Sequence, residues 1–389
     1  MNNLGIYIQV PFCQTKCTYC NFHTGVVSAD RFSPYADAVC REIREHRECW
    51  SLSGIALPAS LGSAVVNTVY IGGGTPSLLD PALLGNMLAA LRDAFACDLE
   101  EITLEADPET VAPEKAAAWH DLGINRISFG TQSFIDDELK AAGRMHRRSD
   151  IYNAVPILQQ HGIHNISFDL IAGLPKQTRS SWAQSLAETI QLSPHHVSIY
   201  MMEIDEGSRL GLEVLQSGSR YSARDLPAEE EMAGFYETAQ RELKAARYEQ
   251  YEISNWAKPG FASTHNLKYW SREPYLGFGA GAHSYSGTQR WANTHDAAAY
   301  AAAIAAGRTA IDSVDKVTQE SALEEELFLG LRQLAGINLS RIQKQYNVDL
   351  EDRIDRLSSA GMVEREGDVV RLAPGKLSIS NEVIVELLR

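Results

Sequence analysis

The sequence predicts an α/β protein built on a partial TIM-like (β/α)6 barrel, followed by an α+β extension and a winged-helix-like domain. Three observations carry this prediction. Six apolar or β-branched runs alternate with helical periodicity between Leu4 and Met201, the pattern of a parallel sheet with crossover helices. After Gly207 the alternation stops, and glycines gather between Gly277 and Gly281. From Ser321 the order becomes three helices and two short strands. The implied division is 1–215 for the barrel, 216–310 for the extension and 311–389 for the winged-helix-like part.

Leu4–Val10 is a short apolar strand closed by Pro11, and a cysteine-bearing loop follows. Ser33-Pro34 opens a helix towards Trp50, with Ser as N-cap and Pro at the first helical position. Asn67–Ile71 is a strand that ends in Gly72-Gly73-Gly74. Asp80-Pro81 starts a helix with Leu84, Met87, Leu88 and Leu91 at helical spacing. Glu101–Ala106 is a strand, and Glu114–Leu122 a helix closed by Gly123. Arg126–Phe129 is a strand, followed by a helix from about Asp136. Asn165–Ile171 and His196–Met201 are strands that flank a helix containing Trp182, Leu186 and Ile190. Beyond them, Asp225–Arg247 reads as a long helix, Glu249–Ser254 as a strand and Ala297–Ala306 as a helix. The last segment reads as helices Glu324–Leu334, Leu339–Tyr346 and Leu350–Ala360, then strands Met362–Glu366 and Val369–Leu372.

Composition excludes several classes. The 389 residues are 44% hydrophobic and 22% charged, ordinary for a globular chain with a large core. A net charge of −15 argues against general nucleic-acid binding. The functional reading of the winged-helix-like part is DNA binding, but Asp and Glu outnumber Lys and Arg there, so it reads as structural or docking. No apolar run reaches the ~20 residues of a transmembrane segment. The chain reaches Cys13 without a signal-peptide pattern. A cytoplasmic location is expected, with Cys40, Cys49 and Cys97 as buried reduced thiols.

The chemistry begins in the first loop. Cys13, Cys17 and Cys20 form C-x3-C-x2-C. Three thiolates on one loop can bind three irons of a [4Fe–4S] cluster and leave the fourth open. Tyr19 stands where an aromatic ring can cover it. His23 completes a Cys3His set, so zinc is a rival, although structural zinc ligands usually come as separated pairs. A third reading, plain buried thiols, sits poorly with Thr15, Lys16 and Thr18 in the same loop. Ligands of barrel folds sit at the C-terminal strand ends. There stand Gly73, Gly74 and Thr75, then Glu105, Gln132 and Asp169. Asp169 lies in an otherwise apolar strand, where a charge is costly without a partner. Arg144 carries a planar fork suited to a carboxylate. A structural salt bridge is the alternative for both.

In combination these segments resemble the oxygen-independent coproporphyrinogen III oxidase family of the radical S-adenosyl-L-methionine (SAM) superfamily, from Tyr7 to about Ser286. The resemblance implies a [4Fe–4S] cluster on Cys13, Cys17 and Cys20, with SAM on the open iron. It implies SAM contacts from Tyr7, Gly73, Gly74, Thr75, Glu105, Gln132, Arg144 and Asp169. Residues 173–178, Gly-Leu-Pro-Lys-Gln-Thr, match as well. Two departures speak against oxidase chemistry. Cys20 is followed by Asn21 and Phe22 where the oxidase carries C-x-C, and Cys13 lies almost at the start of the sequence, whereas the oxidase has a longer preceding segment.

His265-Asn266-Leu267-Lys268-Tyr269-Trp270 is similar to the H-N-x-x-Y-W signature of the family's heme chaperone branch. This implies heme near His265 as an axial-ligand candidate, with His283 second, and Tyr269 and Trp270 on the porphyrin face. The expected function is heme binding and transfer to an acceptor hemoprotein. The alternatives are coproporphyrinogen III decarboxylation in porphyrin biosynthesis, another radical SAM reaction such as methyl transfer, and a zinc protein. An electron donor is an expected partner if radical chemistry occurs. Catalytic residues, and whether the chain is an enzyme, stay open at this level.

Overall fold

The computed structural model describes residues 3–388. Six strands pair in chain order, all parallel: β1 (Asn3–Val10), β2 (Val65–Gly73), β3 (Cys97–Ala106), β4 (Arg126–Gln132), β5 (Asn165–Ala172) and β6 (His196–Met201). Between them run α1 (Phe32–Ser51), the short α2 (Ala59–Gly62), α3 (Pro81–Ala94), α4 (Pro113–Asp121), α5 (Asp136–Ala141), α6 (Arg148–Gln160) and α7 (Arg179–Leu192). Leu4, Ile6, Ile8 and Val10 alternate along β1 and pack into the main core with Val39, Ile43 and Leu88 from the helices. The other face of the sheet is polar. Thr68, Thr103, Arg126, Ser128, Ser167 and His196 are all buried there, which requires hydrogen-bonded partners rather than apolar packing.

The chain after β6 returns to both edges of this sheet. α8 (Arg209–Leu215) and α9 (Glu229–Ala245) lead to β7 (Glu249–Gln250) and β8 (Asn255–Ala257), which pairs antiparallel with β6. α10 (Thr264–Trp270) then precedes β9 (Tyr275–Phe278), which pairs parallel with β1 at the far edge. β10 (His283–Tyr285), β11 (Gln289–Asn293) and β12 (Ile311–Lys316) extend that edge antiparallel, with α11 (Ala297–Ala305) between the last two. The result is a twelve-stranded sheet with the six parallel strands in its middle.

A second core lies in the C-terminal segment. α12 (Gln319–Gly330), β13 (Ile337–Asn338), α13 (Leu339–Tyr346), α14 (Glu351–Ser359), β14 (Val363–Glu366), β15 (Val369–Leu372) and α15 (Ser380–Leu388) enclose Leu327, Ile342, Ile354, Val370 and Leu387. Arg272 and Arg290 tie this unit to the sheet through Glu325, at 3.0 and 2.8 Å. Among the described residues no helix is long and apolar enough to cross a membrane.

Three local expectations change. Ser33 does not cap α1, because Ala29–Arg31 already form a 3-10 turn and the helix starts at Phe32. The predicted strand Glu249–Ser254 shrinks to β7. Tyr251 N–H turns back to Asn255 O at 3.1 Å, Glu252 bridges to Gln333 and its carboxylate accepts from the Ser254 N–H at 2.9 Å, so the run folds over into β8 instead of continuing. The helix from Asp136 stops at Ala141 and restarts at Arg148, leaving the turn that carries Arg144.

Candidate functional site

The C-terminal ends of β1–β6 surround a cavity of about 600 Å³. The loop after β1 forms one wall, with Cys13, Cys17 and Cys20 all lining it. The base of this loop is closed by Cys13 N–H donating to Gly25 O at 3.0 Å and Gly25 N–H to Pro11 O at 2.9 Å. Its far end is held by Thr18, whose N–H donates to Ala142 O at 3.0 Å and whose carbonyl accepts from Leu210 N–H at 2.8 Å. Gly74 lies so close to the loop that a Cβ would meet Phe12 O at 2.4 Å, and its N–H donates to Val10 O. That approach explains a glycine here.

Thr75, Glu105, Gln132, Arg144 and Asp169 join Gly73 and Gly74 on the lining. Glu105 accepts from the Gly73 N–H at 2.8 Å and from the Tyr70 hydroxyl at 3.0 Å. Burial pushes its carboxyl up to about 7, with the Asp169 charge adding to the effect and the Gly73 hydrogen bond opposing it. Asp169 accepts from the Ser128 hydroxyl at 3.1 Å, and burial raises its pKa too. Gln132 sits at a register shift between β4 and β5, with φ of 61°. A non-glycine residue in the left-handed region at a strand end is strained, and such strain concentrates at ligand sites.

Two expected contacts are placed differently. Tyr7 stacks on Tyr70 and donates to Gln9 at 2.5 Å, off the cavity lining. The Arg144 fork is already engaged. It pairs with Asp107, donates to Gly130 O at 2.8 Å and reaches Cys17 Sγ at 3.5 Å. Burial opposes its charge, but Asp107, Tyr19 and Cys17 hold it protonated. Sequence reasoning missed Asp107, although a carboxylate two positions after Glu105 at a strand end was a visible signal. It also missed Glu109 and Tyr200 on the lining, and Arg332, which arrives from the C-terminal segment with no local sequence signal. Burial and the Asp107 charge raise the Glu109 carboxyl to about 7.

His265 stands elsewhere. It lies on α10, fully buried against the polar face of β1–β3. Its Nδ1 bonds the Thr68 hydroxyl at 2.9 Å and its Nε2 the Tyr269 hydroxyl at 2.8 Å. Glu101 accepts from the Thr264 and His265 N–H groups and anchors the start of the helix. Both ring nitrogens are thus engaged, so in this arrangement the ring presents none to a heme iron. Of the other motif aromatics, Trp270 reaches the cavity and Tyr269 packs edge-on against Tyr275. His283 is exposed on β10. His23 stacks on His295 with centroids 3.8 Å apart and lines a neighbouring cavity instead of the cysteine-lined one. Among the described residues no three His, Cys, Asp or Glu side chains cluster tightly enough to hold one metal ion. What separates the Cys3His set is the placement of His23, which lines the neighbouring cavity while the three cysteines line the first.

Residues 7–188 match the Radical SAM superfamily and 317–374 the HemN C-terminal domain. A Bacillus subtilis (strain 168) protein named heme chaperone HemW is 34% identical over 384 residues, with 97% of each chain covered. The chain belongs to the HemW family. The Escherichia coli (strain K12) heme chaperone HemW is 34% identical over 281 residues, covering 72% of this chain and 69% of that one. The solved Escherichia coli coproporphyrinogen III oxidase HemN superposes with a TM-score of 0.83 at 21% identity, over 99% of this chain and 90% of the other. The Bacillus subtilis relative thus matches over nearly the whole length, and the HemN likeness establishes the common fold.

Proposed function

We propose that this protein is a heme chaperone, binding heme and passing it to an acceptor hemoprotein. The full-length likeness to HemW of Bacillus subtilis carries this reading. Cys13, Cys17 and Cys20 would hold a [4Fe–4S] cluster, and the donor set suits it: three cysteine sulfurs line one wall, and the Arg144 guanidinium beside Cys17 would offset the charge of the ligating thiolates. When bound, the cluster supplies an open iron for the amino and carboxylate groups of SAM and a one-electron path to it. The acidic lining of Glu105, Asp107, Glu109 and Asp169 suits a cationic sulfonium. In this reading Gly73, Gly74, Thr75 and Gln132 border the SAM seat and Glu105 accepts from ribose hydroxyls. Asp107 orients Arg144, and Tyr7 acts from beneath through Gln9.

The test is an anaerobic hemin titration of cluster-reconstituted protein, followed by addition of apomyoglobin as acceptor. A saturable Soret shift near one heme per chain, lost to the acceptor, is expected. Absence of saturable binding, with 5′-deoxyadenosine formed during coproporphyrinogen III turnover, would replace the chaperone with the oxidase.

Glu105 gives a pH signature. Its carboxyl titrates near 7, and only the carboxylate makes charge-assisted hydrogen bonds to ribose hydroxyls. SAM affinity should rise about tenfold as pH increases from about 6 to 8, since such a bond is worth roughly 1.5–3 kcal/mol. Calorimetric SAM titrations should lose that rise in Glu105→Gln. An unchanged profile in the variant would remove Glu105 from the SAM seat.

A further inference from the structure

The cysteine loop borders a second cavity of about 780 Å³, which shares Lys16 and Thr24 with the first. We propose that this second cavity is the heme seat, with the stacked His23–His295 pair supplying the axial imidazole. The inference rests on the heme-chaperone reading and gives it a location.

Three features select a heme as the occupant. First, one wall is apolar. α11 contributes Ala297, Ala298, Ala301 and Ala305, and Phe12 and Tyr35 add aromatic surface. These alanines fall on one helix face and leave a smooth surface that a planar macrocycle can cover. The volume lies within the range of small-molecule and cofactor pockets. Second, the imidazoles are available. His23 and His295 are exposed and stacked, and no hydrogen bond among the described residues engages their nitrogens. Burial, His295 and Lys16 together lower the His23 pKa, which favours the neutral, ligating form. His283 stands near enough to both to feel their charge. This contrasts with His265, whose two nitrogens are taken. Third, the cations match the propionates. Lys16 and Arg31 line the cavity. The one acid there, Asp296, accepts from the Ala298 and Ala299 N–H groups and is spent as the cap of α11. Exposed Phe22, Val26 and Val27 flank His23 and extend the apolar surface.

Ligation needs no redox step: an imidazole nitrogen donates its lone pair to ferric iron and displaces the water or chloride of hemin. The test uses the full chain with its cluster reconstituted, titrated with hemin as wild type and as His23→Ala/His295→Ala. The double variant is expected to bind about tenfold more weakly or worse, with the imidazole-ligated Soret position lost and the cluster absorbance intact. Added free imidazole should restore the wild-type spectrum. If the double variant keeps wild-type affinity and spectrum, the seat is elsewhere while the chaperone reading stands. Failure of imidazole to restore the spectrum removes the pair as ligands. If wild type itself shows no saturable binding, the chaperone reading fails and the seat with it.

Discussion

His265→Ala is expected to lower stability by about 3–5 kcal/mol, well beyond a change in a heme spectrum. The imidazole is fully buried, so truncation leaves a cavity between α10 and the sheet. It also strands two hydroxyls, those of Thr68 and Tyr269, each costing about 1–3 kcal/mol when left unpaired. The pH dependence distinguishes this from a ligand role. Burial, then Lys268 and Arg126, push the His265 pKa down to about 3, against an ordinary 6.5. Between those values the unfolded chain binds a proton that the folded chain refuses. The contribution of His265 is therefore complete above pH 6.5 and is lost as pH falls from 6.5 towards 3. Urea midpoints of the two proteins should differ most near pH 7.5 and converge on acidification to about pH 5. Equal midpoints at pH 7.5, together with an altered heme spectrum, would return His265 to the role of axial ligand.

This case shows where sequence reasoning reaches. The six parallel strands were legible because each is an apolar run bounded by turn residues, and the cavity-lining positions follow from their C-terminal ends. Gly74 and Glu105 could be named from that rule, and Asp169 from the cost of a charge inside an apolar strand. The strands that widen the sheet at its edges, β8 to β12, were not legible, whereas β14 and β15 were. β9 and β10 hold only four and three residues around Gly279 and Gly281, too short for any alternation to register. β9 also pairs with β1 across more than 260 residues of chain, a contact with no local signature. The His265 motif drew attention as chemistry, but its polar residues answer the polar inner face of the sheet. Thr68 and Glu101, which engage it, lie on strands where buried polar side chains give no sequence signal of their partners. For the same reason a salt bridge could be entertained for Arg144 from the sequence, but not its partner, which the fold makes Asp107.

Cys17→Ala is expected to abolish the cluster while leaving the loop in place. Two thiolates cannot hold the three irons that a SAM-binding cubane presents to protein, so iron and labile sulfide should fall to background after reconstitution. The loop does not depend on the cluster for its course. Its base is tied by the Cys13–Gly25 and Gly25–Pro11 hydrogen bonds, and its far end by Thr18 to Ala142 and Leu210. Arg144 loses its contact with Cys17 Sγ but keeps Asp107 and Gly130. The thermal midpoint should therefore move little. SAM affinity should drop about tenfold or more because the open iron is gone. Hemin binding should persist, since His23 and His295 contribute nothing to the cysteine set. Iron and sulfide analysis, SAM calorimetry and a Soret titration on one preparation separate these three effects. Retention of about four irons per chain in the variant would exclude Cys17 as a ligand. Simultaneous loss of cluster and heme would mean that the cluster, and not the loop's own hydrogen bonds, holds the wall between the two cavities.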